Sequence, residues 1–102
     1  MVCAAACILS PLLACAADPP ARTHVVVIDG MRFVPDTLRV QRGDRIVWRN
    51  KDLVPHTATA AKVFDSGSIG SNASWTLVAR QAGSFAYLCS FHPTMTGTLK
   101  VE

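Results

Sequence analysis

The stretch Gly83-Ser84-Phe85-Ala86-Tyr87-Leu88-Cys89-Ser90-Phe91-His92-Pro93-Thr94-Met95-Thr96-Gly97-Thr98-Leu99-Lys100-Val101 decides the fold. Gly83 marks a turn, and Ser84–Leu88 alternates polar and apolar residues as a strand does. A short loop holding Pro93 follows, and Gly97–Val101 alternates again. The same grammar continues upstream. Trp75–Ala79 reads as a strand, His56–Ala61 as a Thr/Ala strand, and Arg45–Asn50 as a strand with Ile46 and Trp48 on one face. Leu38 and Val40 alternate with polar neighbours, Arg42-Gly43-Asp44 is a turn signal, and the Val/Ile-rich run Thr23–Asp29 stops at Gly30. Lys51–Pro55 and Asp65–Asn72 read as loops. About eight strands at regular spacing, with no helical period over three turns, predict an all-β sandwich or barrel with antiparallel strands. The expected core is Val27, Phe33, Leu38, Val40, Ile46, Trp48, Phe64, Trp75, Leu77, Phe85, Tyr87, Leu99 and Val101.

Within the deciding stretch, Cys89, His92 and Met95 sit three residues apart in the loop between two strands. His56, at the start of its own predicted strand, is the natural fourth member. One thiolate, two imidazoles and a thioether as a weak axial contact are the donor set of a blue-copper electron-transfer site. Copper(I) favours soft sulfur and few ligands, whereas copper(II) favours nitrogen and a tetragonal arrangement. A protein-held compromise changes little between the two states, so electron transfer meets a low barrier. Each residue alone has a duller reading, because a lone cysteine or methionine is usually core filler. Joint occurrence decides for copper. These four include the only cysteine after residue 17 and two of the three histidines. His24, in the first strand and without a ligand-spaced companion, is left out. Zinc is the competing metal, but a structural zinc site wants four Cys or His ligands and gains nothing from Met95.

The chain has 102 residues, enough for one ordinary domain. All ten Lys plus Arg and all seven Asp plus Glu follow residue 17, so residues 1–17 carry no charged side chain. That Ala-, Cys- and Leu-rich stretch reads as a secretory signal with Ala14-Cys15-Ala16-Ala17 as its processing region, although it lacks a basic start. Leu12-Leu13-Ala14-Cys15 also resembles a bacterial lipobox, in which Cys15 would carry lipid, so removal and lipidation both stay open. Only lipidation would bring the protein to a membrane. Residues 18–22, with Pro19 and Pro20, form a short tether, and 23–102 form the domain. Export would leave Cys89 without a partner thiol in the mature chain, which points it towards metal or reactive chemistry. The net charge of +3, without a Lys-rich run, does not indicate nucleic-acid binding.

The sequence resembles the cupredoxins, in particular the amicyanin and bacterial plastocyanin-like group. The resemblance rests on Phe33-Val34-Pro35, Gly43-Asp44-Arg45-Ile46-Val47-Trp48-Arg49-Asn50, Val54-Pro55-His56-Thr57, Phe64-Asp65-Ser66-Gly67, Gly83–Cys89, the C-x2-H-x2-M loop and the closing Gly97–Glu102. It implies a Greek-key β-sandwich, an exported periplasmic location, a monomer, one Cu(I)/Cu(II) ion, and single-electron transfer between redox proteins such as a c-type cytochrome or a dehydrogenase. Two departures stand out. Thr57 replaces an Asn that commonly bonds across to the cysteine-bearing segment, which bears on tuning of the site. Phe91 stands where amicyanin-like loops often carry Pro.

In such a fold His92 is expected nearest the surface, with Leu53, Val54, Pro55, Phe91 and Pro93 forming an apolar docking collar. Arg39, Arg42, Arg45, Arg49 and Lys51 form a positive segment that reads as a solvated face or, if it steers association, as the match for an acidic partner. Enzyme activity is not expected. Cys89 is flanked by Leu88 and Ser90 rather than by the histidines of multicopper oxidases or copper nitrite reductases, and four filled ligand positions leave no open site. The alternative to an electron carrier is a copper-handling protein that stores or delivers the metal through the same residues.

Overall fold

In the computed structural model, which describes residues 20–102, nine strands form two sheets. They are β1 (Thr23–Ile28), β2 (Phe33–Val34), β3 (Thr37–Val40), β4 (Arg45–Asn50), β5 (Thr59–Ala60), β6 (Phe64–Asp65), β7 (Ser74–Val78), β8 (Gly83–Leu88) and β9 (Thr96–Val101). One sheet has the order β2-β1-β4-β7 and the other β3-β9-β8-β5-β6. The expected all-β sandwich is therefore present, with one strand more than expected. The signal peptide with its lipobox reading, and the tether as far as residue 19, lie outside the described residues. Among the described residues no helix is long and apolar enough to cross a membrane.

Three expectations about the strands are corrected. The sheets are mixed, since β1 runs parallel to β4 and β3 parallel to β9. Alternation reports which face a side chain takes and is silent on the direction of the neighbouring strand. The Thr/Ala strand shrinks to Thr59–Ala60, with His56 held only by an isolated bridge to Ile69. Part of the stretch assigned to a loop instead pairs, as Asp65 of β6 opposes Thr59.

The inward face of β4 carries Ile46, Trp48 and Asn50, all fully buried. Trp48 is the centre of the core: Tyr87 meets it edge-on at 5.5 Å between ring centroids, and Trp75 and Phe64 lie at 5.5 and 5.6 Å. Such aromatic contacts each add about 0.5–1.5 kcal/mol beyond the area they bury. On β1 the core residues are Val26 and Ile28, and the expected Val27 lies on the other face, half-buried. Leu38, Trp75, Leu77 and Phe85 pack on the core without being fully enclosed. At Gly97 the Tyr87 side chain fills the space a Cβ would take: a methyl group there would lie 2.5 Å from the Tyr87 hydroxyl and 2.9 Å from its Cε1.

The turn between β3 and β4 closes with Asp44 N–H donating to Gln41 O at 3.0 Å, and Gly43 supplies the required φ of +99°. The buried Asp44 carboxylate accepts Arg22 N–H and Gln41 N–H at 3.0 Å each and His24 Nε2 at 2.9 Å. These donors, led by the Arg22 amide, hold its carboxyl down at about 2. His24 thus has a structural partner, and Arg22 at the end of the predicted tether is already fastened to the domain.

Candidate metal centre

Three donors meet at one end of the sandwich. Cys89 Sγ lies 3.7 Å from His56 Nδ1 and 3.6 Å from His92 Nδ1, and the three ligand atoms are all within 4.8 Å of one another. His56 and Cys89 are fully buried, while His92 is half-buried. Met95 is buried as well. Its main chain is tied to both loop donors: Cys89 N–H donates to Met95 O at 3.1 Å and Met95 N–H to His92 O at 2.9 Å. A further bond, His92 N–H to Cys89 O at 3.1 Å, closes the loop between β8 and β9 on itself. The residues from Cys89 to Met95 are therefore a compact turn held by its own backbone.

His56 arrives from a separate loop, and Asn50 builds that loop. An asparagine at the third inward position of β4 must find partners or cost a few kcal/mol. Its Nδ2 donates to Val54 O at 2.9 Å and Ile69 O at 3.0 Å, and its Oδ1 accepts Asp52 N–H at 2.8 Å. Ile69 in turn exchanges both backbone bonds with His56, at 3.1 and 2.7 Å. One buried amide thus clamps both sides of the first imidazole.

Asp52 sets the chemistry of that imidazole. Its Oδ2 lies 2.8 Å from His56 Nε2, and a carboxylate accepts, so Nε2 carries the hydrogen and Nδ1 is left with its lone pair. Nδ1 is the nitrogen that faces Cys89. Burial pushes the Asp52 carboxyl up, but the N–H groups of Met31 and Gly30 and the His56 ring outweigh it and hold the group below the usual range. Sequence reasoning missed both Asn50 and Asp52. The signals were a polar residue in the inward register of β4 and an acid four positions before the first candidate ligand.

Thr57 bonds as its position beside His56 allows. Its N–H donates to Cys89 Sγ at 3.3 Å and its Oγ1 accepts Ser90 N–H at 2.7 Å, so it links the two donor segments without an amide side chain. The collar residues are exposed: Leu53 by 91%, Phe91 by 52%, and Val54, Pro55 and Pro93 as well. The positive segment does not form one face. Arg39 leaves β3 in the second sheet and pairs with Glu102 at 3.1 Å, Arg42 sits in the turn beside Asp44, and Arg45 and Arg49 point outward from β4.

A thiol, two ring nitrogens and a buried thioether-bearing residue in one compact end suit a soft, redox-active ion better than zinc or a hard cation. Other proteins share this frame. The family model of the cupredoxin-like domain matches residues 1–101. Amicyanin of Paracoccus versutus is 30% identical over 97 residues, which cover 85% of this chain and 70% of that protein. Amicyanin-alpha of Methylorubrum extorquens is 26% identical over 91 residues, covering 83% of this chain and 76% of that one. Among solved structures, the Cu(I) form of an amicyanin variant superposes with a TM-score of 0.75 at 27% identity, covering 87% of this chain and 88% of its own. A copper-containing nitrite reductase from Thermus scotoductus shares the fold at 23% identity and a TM-score of 0.73, but the match covers only 23% of that chain. Fold, donor chemistry and these matches agree, and the chain belongs to the cupredoxin-like family.

Proposed function

We propose that this protein is a blue-copper electron carrier in which His56, Cys89, His92 and Met95 hold one copper ion. The observation that carries the reading is the convergence of His56 Nδ1, Cys89 Sγ and His92 Nδ1 within 4.8 Å from two separate loops. Bound there, copper supplies a one-electron couple. The chain supplies everything that keeps the couple fast. Cys89 Sγ, when ionised, is stabilised by the Thr57 N–H. His56 cannot rotate while Asp52 holds Nε2, and its ring and the Cys89 side chain lie in a close-packed interior that resists movement. His92, the half-buried donor, is the edge through which electrons reach the surface.

Leu53, Pro55, Phe91 and Pro93 are the docking collar for a redox partner such as a c-type cytochrome or a dehydrogenase. Their exposure beside the two histidines supports this, and a small apolar contact suits an encounter that must dissociate quickly. The charge-free stretch 1–17 supports export to the periplasm. The protein acts as a monomer and carries electrons rather than turning over a substrate, since the site is filled by protein donors.

The test is the copper-loaded protein. An intense visible thiolate-to-copper band with reversible one-electron voltammetry is expected, and Cys89→Ser abolishes the band. A wild type as pale as that variant refutes the assignment. Binding of copper(I) alone, with rapid transfer to a chelator, identifies a storage or delivery protein instead.

A further inference from the structure

Behind the thiolate runs a chain of hydroxyl groups that ends on a carboxylate. Thr57 Oγ1 accepts Ser90 N–H at 2.7 Å and lies 2.9 Å from Thr59 Oγ1 and 3.2 Å from Ser90 Oγ. Ser90 Oγ lies 3.1 Å from Thr59 Oγ1. Thr59 Oγ1 lies 3.0 Å from Asp65 Oδ1, which also accepts Gly67 N–H at 3.0 Å. The register of β5 and β6 sets Thr59 directly opposite Asp65.

Counting hydrogens orients the whole chain. An ionised carboxylate only accepts, so the Thr59 hydroxyl hydrogen points at Asp65. Thr59 Oγ1 then accepts the Ser90 hydroxyl hydrogen, and Ser90 Oγ in turn accepts that of Thr57, so the hydrogens run in one sense from Thr57 through Ser90 and Thr59 to Asp65. Thr57 Oγ1, its hydrogen directed away, presents a lone pair to Ser90 N–H. Ser90 follows Cys89, and the same Thr57 donates its N–H to Cys89 Sγ. Without the carboxylate the Thr59 and Ser90 hydrogens lose their fixed sense, Ser90 Oγ is no longer set to accept the Thr57 hydrogen, and that hydrogen is free to turn towards the Ser90 amide and weaken its bond.

We propose that Asp65 is a positioning residue of the metal centre, acting through the hydroxyls of Thr59, Ser90 and Thr57 to hold the Cys89–Ser90 segment against the His56 loop. The proposal builds on the copper reading, but its central contact belongs to the polypeptide and is measurable without metal. Asp65 is exposed and β6 is only two residues long, so neither position nor burial singles it out; the directed chain does.

The experiment compares Asp65→Ala, Thr59→Val and the double variant, with Thr59→Ser as the conservative control. In metal-free protein, native-state exchange of the Ser90 amide is expected to speed up about tenfold in both single variants, to go no further in the double variant, and to stay at the wild-type rate in Thr59→Ser. In copper-loaded protein, Asp65→Ala, Thr59→Val and the double variant share one altered reduction potential. An unchanged Ser90 amide, or effects that add in the double variant, overturns the proposal. A potential that moves in Asp65→Ala but not in Thr59→Val shows a simple charge effect and overturns it too. Failure of the wild type to turn blue removes the copper reading alone, because the exchange measurement still decides on the relay.

Discussion

Replacing Asp52 with alanine isolates the group that orients the first imidazole. The His56 side chain is fully buried, and Asp52 Oδ2, at 2.8 Å, is the partner of its Nε2. Asp52→Ala leaves that N–H enclosed and unpaired, which costs about 1–3 kcal/mol. The two backbone donors that Asp52 also serves, Gly30 and Met31 N–H, are exposed and regain water, so they add about 0.5–1 kcal/mol in total. The expected loss in metal-free stability is therefore ~1.5–4 kcal/mol, read from urea unfolding. A second effect is independent of folding. Without an acceptor at Nε2 the imidazole is free to place its hydrogen on Nδ1, the atom facing Cys89, and copper affinity measured against a chromogenic chelator falls about 10–100-fold. Asp52→Asn keeps an acceptor oxygen and recovers part of both losses. A stability change under ~0.5 kcal/mol together with an unchanged copper affinity refutes the claim that Asp52 fixes the ring.

Gly97→Ala drives a methyl group into the Tyr87 ring and is expected to lower stability by about 1–3 kcal/mol in chemical denaturation; a stability equal to wild type means the ring moves aside at no cost. Asp44→Asn removes a carboxylate whose folded pKa is about 2 against an ordinary 3.8. A depressed acid stabilises above its unfolded pKa, so the gap between wild type and variant is full above about pH 4 and closes as pH falls through about 2. Unfolding curves at both ends of that window check the sign, and a gap that widens on acidification contradicts it. Phe91→Glu leaves the visible spectrum intact while slowing second-order electron exchange with a c-type cytochrome, measured by stopped flow; an unchanged rate removes Phe91 from the docking surface.

Much of this was legible from the residues alone. The alternation in Ser84–Leu88, Gly97–Val101 and Arg45–Asn50 is a property of the extended backbone, whose side chains must alternate faces, so strands and an all-β class follow locally. Donor identity is equally local: a thiol, two imidazoles and a thioether carry their metal preference wherever they sit. Three consecutive valines in β1 offer apolar groups to both faces, so the choice of Val26 over Val27 for the core was made by packing against the opposite sheet. Strand direction was settled in the same way, since the parallel pairs β1·β4 and β3·β9 depend on how the chain crosses between sheets. Only the folded chain brings Asp52 onto His56, Asn50 onto Ile69, and Asp65 within reach of Thr59. A hydrogen bond is decided by ångström-scale placement, and that placement is a product of the whole sandwich rather than of any segment within it.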